Sequence, residues 1–248
     1  VTHRYDEFHS SFAKTRPQER LIDRSSFTYI NFFRFVLPVI EAAQPGHILD
    51  IGSGAGTISL FLGTLGYHTA GVDISPIAVG ASRDSARSMG LEDLVSFVHA
   101  DFSRLEMETR FDVVLCLEVI EHLEEDDRFL SQVTGVLRES GLLIISAPLS
   151  TAPLTRLGLT NEFDSTVGHL RRYREDQLIR KIENAGFGVE RVTTTEGILR
   201  NSLFVFKPLH VLVRCVRGRF ITRLITAVDD LAGMLLGCSD IIIVARKS

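Results

Sequence analysis

The sequence predicts an α/β fold, a largely parallel sheet of seven strands with helices on both faces. Three observations carry that expectation. Short apolar runs alternate with helical hydrophobic periodicity through the middle of the chain. A glycine-rich turn links the first apolar run to the first helical pattern, as a strand-to-helix connection requires. The 248 residues, 45% of them hydrophobic, are enough to bury one large core with a modest addition.

The elements follow in order. Residues 1–45 precede the rhythm and are expected to form an N-terminal helical cap, with helical periodicity over 27–43 despite Pro38. Residues 46–248 form the main domain. Its first strand is the apolar run 47–51, then comes helix 57–65, strand 68–72 and helix 76–89. Strands 95–99 and 111–116, helix 126–137, strand 142–147, helix 175–185 and strand 189–194 continue the pattern. The run Asp-Ile-Ile-Ile-Val-Ala-Arg at 240–246 is the last strand. Strands separated by helices read as parallel neighbours with helices on both faces. Between the last two strands lies 197–238, where a short hairpin would suffice, so this stretch is read as a helical insertion.

Composition narrows the function classes. Lys and Arg total 27 against 31 Asp and Glu, a net charge of −4, which argues against nucleic acid as a partner. Cys116, Cys215 and Cys238 are widely spaced with no Cys-x-x-Cys, so neither a disulfide framework nor a thiolate zinc site is expected and a reducing cytoplasm fits. No apolar run approaches the roughly 20 residues that cross a bilayer, and the first residues lack the apolar core of a signal peptide. An integral membrane protein is therefore not expected.

The chemistry begins at Ile48-Leu49-Asp50-Ile51-Gly52-Ser53-Gly54-Ala55-Gly56-Thr57. Alternating glycines let the backbone turn sharply and approach a ligand, and the helix behind them offers free N–H groups. Asp73 ends the next strand, where a carboxylate can accept both ribose hydroxyls of a nucleoside. The dinucleotide fingerprint would need glycine where Thr57 stands, which counts against an NAD-dependent oxidoreductase.

The acid two residues before Gly-x-Gly-x-Gly, with Asp73, resembles motif I and the acidic post-motif of class I S-adenosylmethionine-dependent methyltransferases. His99-Ala100-Asp101-Phe102 resembles the family's adenine-contacting acid, and Phe111-Asp112-Val113-Val114-Leu115-Cys116 its fourth strand. The likeness spans about 46–194. It implies a Rossmann-like seven-stranded sheet, mostly parallel with an antiparallel last strand. It also implies that S-adenosyl-L-methionine is held by Asp50, Gly52, Ser53, Gly54, Gly56, Asp73, Ile74, Asp101, Phe102 and Leu117. Asp101 has a second reading as the cap of a turn.

Cys116-Leu117-Glu118-Val119-Ile120-Glu121-His122-Leu123 looks like the Glu-x-x-Glu-His segment of ubiquinone-biosynthesis O-methyltransferases, a grouping also found in small-RNA 2′-O-methyltransferases. Ile30-Asn31-Phe32-Phe33-Arg34 resembles the quinone branch's Asn-x-x-Arg helix, and Gly168-His169-Leu170-Arg171-Arg172-Tyr173 its Gly-x-His segment. The resemblance makes Arg34 a candidate cofactor contact, against a plain reading as a solvated charge on an amphipathic helix. On a helix, Glu118, Glu121 and His122 would face one way, and two carboxylates with an imidazole suit Mg²⁺, Mn²⁺, Fe²⁺ or Zn²⁺. His169 would complete a divalent metal site, as the equivalent histidine does in the relatives. The other reading stands beside it: many class I methyltransferases carry Glu-His-Leu with no metal, His122 then packing beside the cofactor.

A sulfonium already activates its methyl group, so the protein has to align an oxygen nucleophile and remove its proton. His122 and His169 are the candidate catalytic bases, followed by Asp164 and Tyr173. His3, His9, His47, His68 and His99 read as structural. The expected function is methyl transfer to a hydroxyl of a small or lipid-linked molecule. Alternatives are nitrogen, carbon or RNA 2′-hydroxyl acceptors, or an inactive cofactor-binding regulatory subunit, against which Glu118, His122 and His169 together count.

From Arg200 to Arg223 lie Arg200, Lys207, Arg214, Arg217, Arg219 and Arg223 and no acidic residue. If helical, the stretch puts Arg200, Lys207 and Arg214 on one side and Val205, Phe206, Leu209, Leu212, Val213 and Val216 on the other, with Pro208 starting a second helix. Such a helix, within 199–236, suits the surface of an anionic membrane, placing the protein in the cytoplasm at the inner membrane surface. The competing readings are packing onto its own domain or onto a homodimer partner. His210 is then a head-group contact or solvated. The loop 148–169 and residues 5–12 are expected to roof the site. Arg171, Arg172 and Arg174 either meet a phosphate or carboxylate of the substrate or flank a helix in solvent.

Overall fold

The computed structural model describes residues 22–209 and 219–248. Residues 5–12, His3, His9, Leu212, Val213, Arg214, Cys215, Val216, Arg217 and His210 lie outside the described residues. Seven strands form one sheet in the order β3-β2-β1-β4-β5-β7-β6. They are β1 (His47–Ile51), β2 (His68–Asp73), β3 (Val95–His99), β4 (Phe111–Leu117), β5 (Leu137–Pro148), β6 (Phe187–Thr195) and β7 (Asp240–Lys247). β7 runs antiparallel to both its neighbours and the other pairings are parallel.

The alternation of side chains along the strands builds two cores. Leu49 and Ile51 of β1, Val114 and Cys116 of β4 and Ile243 of β7 face α4 (Asp126–Val136) and α7 (Glu175–Asn184), which contribute Phe129, Leu130, Leu178 and Ile182. Ile48, Val113, Leu115 and Val244 point the other way, onto Val36, Leu37, Ile40 and Leu62. The last four come from a π-turn (Phe32–Val36), α1 (Leu37–Ala43) and α2 (Thr57–Thr64). A smaller cluster seats Leu60 of α2 and Val79 of α3 (Pro76–Met89) against Val95 and Phe97 of β3. Strand order reverses between β1 and β4, so a crevice opens at their carboxyl ends.

Several boundaries differ from expectation for local reasons. Helical structure begins at Ile30 rather than Phe27, and Pro38 sits within the continuous helical run directly after the π-helical turn Phe32–Val36, whose wider spacing accommodates the missing N–H. β5 begins at Leu137, five residues early, because Leu137 pairs with Phe111 before a register shift and Ser140 adopts a left-handed φ of 60°. The loop 148–169 contains two short helices, α5 (Pro153–Arg156) and α6 (Asn161–Val167).

Of the stretch 200–216 read as helical, residues 210–216 lie outside the described residues, and the described part breaks at Pro208 as expected. α8 (Ile198–Val205) ends before Pro208, a 3-10 turn (Lys207–Leu209) follows, and a second helix, α9 (Arg219–Leu236), leads to β7. Arg200, expected on a solvated basic face, is instead buried. Its guanidinium donates to Asn31 Oδ1 at 2.9 Å and the Phe27 carbonyl at 3.3 Å, and lies 3.9 Å from Glu196. Val205, on the opposite side, is buried as well. Among the described residues no helix is long and apolar enough to cross a membrane.

Candidate active site

A cavity of about 700 Å³ occupies the crevice. Gly52, Asp73, Ile74, Asp101 and Phe102 line one end, Leu117, Glu118 and Ser146 the middle, and His122, Phe163, His169 and Arg172 the far end. Tyr29, Asn31, Glu196, Asn201, Phe204 and Asp240 complete the walls.

The glycine turn is built by tight packing. Gly52 has φ 72°, and a Cβ there would lie 2.4 Å from Val119 Cγ2. Asp73 ties the turn to α3: its Oδ2 accepts the Gly54 N–H at 2.7 Å and its Oδ1 the Ser75 N–H at 2.8 Å. Each carboxylate oxygen keeps a further lone pair, and Asp73 also lines the cavity. Asp101 caps the next turn, accepting from Ser103 N–H at 3.0 Å, and it also lines the cavity.

Other expected cofactor contacts are placed differently. Asp50 does not line the cavity; it lies buried under the turn and accepts the Ser59 hydroxyl at 2.6 Å, bracing α2. Burial pushes its carboxyl up to about 7, against the Ser59 hydrogen bond. Ser53, Gly54 and Gly56 shape the turn from below, Gly56 packing on Phe97, and do not line the cavity either. Arg34 points away from the site: Asp230 of α9 holds its guanidinium in two hydrogen bonds of 3.0 and 2.7 Å. Its partner is thus a carboxylate on the insertion, far away in sequence.

The segment after β4 is not the α-helix assumed for a three-residue metal face. Glu118 takes a left-handed φ of 56°, and Ile120–His122 form a 3-10 turn. Glu118 turns aside to Ser146, whose hydroxyl donates to its carboxylate, and so does not belong to the metal-competent group. Glu121, His122 and His169 do converge, with one ligand atom of each within 4.8 Å of the others.

Glu121 is completely buried, and among the described residues neither carboxylate oxygen has a hydrogen-bond partner. The Nε2 atoms of His122 and His169 each lie 3.7 Å from Glu121 Oε1. His122 Nδ1 sits 3.0 Å from the Gly168 carbonyl and His169 Nδ1 2.9 Å from Asp164 Oδ1. Both partners are acceptors, which assigns the proton to Nδ1 in each ring and turns two Nε2 lone pairs toward the carboxylate. Arg172 fixes Asp164 with contacts of 2.6 to 3.1 Å. Burial pushes Glu121 well above the usual carboxylate range, and the Glu118 charge adds to it. Burial, then repulsion from His169, pulls His122 down to about 4 although the Gly168 carbonyl favours its charged form.

The remaining candidates have structural partners. The buried Tyr173 hydroxyl donates to Asp126 at 2.8 Å, and burial with that carboxylate raises its pKa, which removes it as a base. Arg171 pairs with the same Asp126 at 3.0 Å and Arg174 with Asp176 at 3.1 Å, so of the three arginines Arg172 alone lines the cavity. Sequence reasoning missed Glu196, Asn201, Phe204 and Asp240. They reach the site from the β6 and β7 ends and from α8, and no local pattern marks them.

Comparison with known proteins fits this geometry. The family model described as a methyltransferase domain matches residues 25–192. The mitochondrial ubiquinone biosynthesis O-methyltransferase of Schizosaccharomyces pombe is 31% identical over 139 residues, which cover 56% of this chain and 50% of that protein. The Rickettsia felis ubiquinone biosynthesis O-methyltransferase is 30% identical over 112 residues, 45% of each chain. The chain spans about half the length of these curated relatives. Among solved structures, a SAM-dependent methyltransferase from Archaeoglobus fulgidus superposes with a TM-score of 0.62 at 20% identity, covering 98% of this chain and 99% of that one. The cyclase SpnF gives 0.63 at 21% identity, covering 86% and 80%, so the same fold also serves another chemistry. The chain belongs to the methyltransferase-domain family and has the Rossmann-like fold of the class I S-adenosylmethionine-dependent methyltransferases.

Proposed function

We propose that the chain transfers a methyl group from S-adenosylmethionine to a hydroxyl oxygen of a small or lipid-linked acceptor. One observation carries the reading: a single cavity joins the Gly52–Asp73–Asp101 end, suited to a nucleoside, to the buried Glu121, His122 and His169 cluster. The cofactor supplies an activated methyl on a sulfonium. Asp73 offers its spare lone pairs to ribose hydroxyls, and Asp101 and Phe102 offer an acceptor and a ring edge to adenine.

His169 is the better base of the pair. Asp164 orients its ring through Nδ1, leaves Nε2 as acceptor, and stabilises the imidazolium that proton removal creates. His122, held down to about 4, is a weak proton acceptor near neutrality and suits positioning or ligation. The lipid-linked reading rests on the likeness to ubiquinone-pathway enzymes and on the apolar wall made by Phe32, Phe163 and Phe204. The cysteine usage favours a reducing cytoplasm as its place of work.

A divalent cation is the second reading, favoured by the convergence of Glu121, His122 and His169, each with one ligand atom within 4.8 Å of the others. Glu121, His122 and His169 would hold it, with Glu118 outside the set, and it would lower the pKa of the acceptor hydroxyl. Calorimetry with S-adenosylhomocysteine, then turnover of methyl-labelled cofactor over a panel of hydroxylated aromatics and lipid-linked sugars, tests the main reading. Binding of NAD(H) in place of S-adenosylhomocysteine would overturn it. Titration with Mn²⁺ or Zn²⁺ alone tests the cation, and full turnover in excess chelator would leave the histidines without that role.

A further inference from the structure

α9 is folded with its polar residues inward. Thr222, Thr226, Asp229 and Gly233 recur at helical spacing on the side facing the protein, with Asp229 1% exposed. Thr222 donates to the Ser25 carbonyl at 3.1 Å, and Asp229 accepts the backbone N–H groups of Gly197 and Arg200 at 2.8 and 3.0 Å. Asp230 is committed to Arg34. The outward side carries Met234 at 85% exposure, Phe220 at 79% and Leu235 at 76%, with Leu224, Val228 and Leu231 also exposed. A soluble surface helix normally shows the reverse arrangement.

The charge on this outward side has one sign. Of the two carboxylates of α9, Asp229 is buried and the half-exposed Asp230 is paired with Arg34, while exposed Arg223 marks the N-terminal end of the apolar face. The sequence from Arg200 to Arg223 contains six basic residues and no acidic one. Arg200 among them meets a counter-charge inside the fold, at Glu196. We infer that the outer face of α9 docks on an anionic lipid surface. Its apolar side chains enter the acyl boundary and its basic end meets phosphate head groups. A second copy fits less well, because two such faces brought together offer Arg223 only Asp230, a carboxylate already paired with Arg34.

The helix next to it, α8, places Asn201 and Phe204 in the cavity wall, so the docked face borders the site. A lipid-linked acceptor would then reach His169 without leaving the surface that holds it. This deepens the reading of the acceptor as lipid-linked, and its test is read without turnover.

The full chain is sedimented with vesicles of phosphatidylcholine alone or with phosphatidylglycerol, at low and high salt. Binding to the anionic vesicles, weakened by salt, is expected. Leu231→Glu with Met234→Glu, both on the exposed face, lowers binding by at least about tenfold and leaves the circular dichroism and S-adenosylhomocysteine binding unchanged. Arg223→Gln weakens binding by about fivefold. Absence of binding to anionic vesicles at low salt overturns the inference. So does equal, salt-insensitive binding to neutral vesicles, or a dimer in sedimentation equilibrium that the double substitution dissociates. Vesicle binding without any methyl transfer would instead count against the proposed reaction and leave this surface standing.

Discussion

Gly197 precedes α8 and has no side chain to cap it, so the helix is capped from another element. Asp229 of α9 accepts the N–H groups of Gly197 and Arg200, the latter the third residue of α8, and is buried while doing so. Asp229→Ala removes both acceptors and leaves two buried donors without partners. A hydrogen bond to a charged group contributes about 1.5–3 kcal/mol, so the two together amount to about 3–6 kcal/mol. For a chain of this size that is a fall in Tm on the order of 10 °C. Asp229→Asn, which keeps one acceptor oxygen, should lose roughly half as much. Urea unfolding followed by circular dichroism, compared at equal m, measures both. A loss below about 1 kcal/mol for Asp229→Ala would show that the cap is not what fixes α9 to α8.

Two further substitutions test the site's electrostatics. The Asp50 carboxyl is raised from 3.8 to about 7. Burying its charged form therefore costs nothing below about pH 4, and the cost grows as pH rises to about 7, reaching about 4 kcal/mol at 1.36 kcal/mol per pH unit. Asp50→Asn keeps an acceptor for Ser59 and escapes that cost, so its stability relative to the native chain should improve from pH 4 to 7.5, and parallel urea-stability profiles would contradict the assignment. Asp164→Asn leaves His169 oriented but removes the charge that stabilises its imidazolium and pairs buried Arg172. kcat should fall by about a hundredfold with S-adenosylhomocysteine affinity retained, and an unchanged kcat would remove His169 as the base.

Much of this was legible in order along the chain. The strands β1, β4 and β7 are near-continuous apolar runs, and burying them on both faces forces the sheet that the rhythm predicts. The glycine turn and Asp73 are local as well, because a positive φ at Gly52 and the bonds from Asp73 to Gly54 and Ser75 span few residues. Glu121, His122 and His169 were also legible as residue types, but not as geometry. The helical spacing that joined Glu118 to them fails because Glu118 enters the turn with φ 56° and finds Ser146 on the neighbouring strand.

What the sequence determined by itself is thus the α/β fold, the glycine turn with its acids, and the segments that carry the site's histidines, since all depend on periodicity and short-range backbone sterics. Tertiary structure decided which polar groups meet across long separations. Arg34 goes to Asp230, Arg200 to Asn31 and Glu196, and Asp50 to Ser59 under the turn. It also decided which face of α9 turns inward. Periodicity shows that the helix has two faces, but the backbone N–H groups at the start of α8 and the Arg34 guanidinium attract its carboxylates, and satisfying them turns the apolar side out.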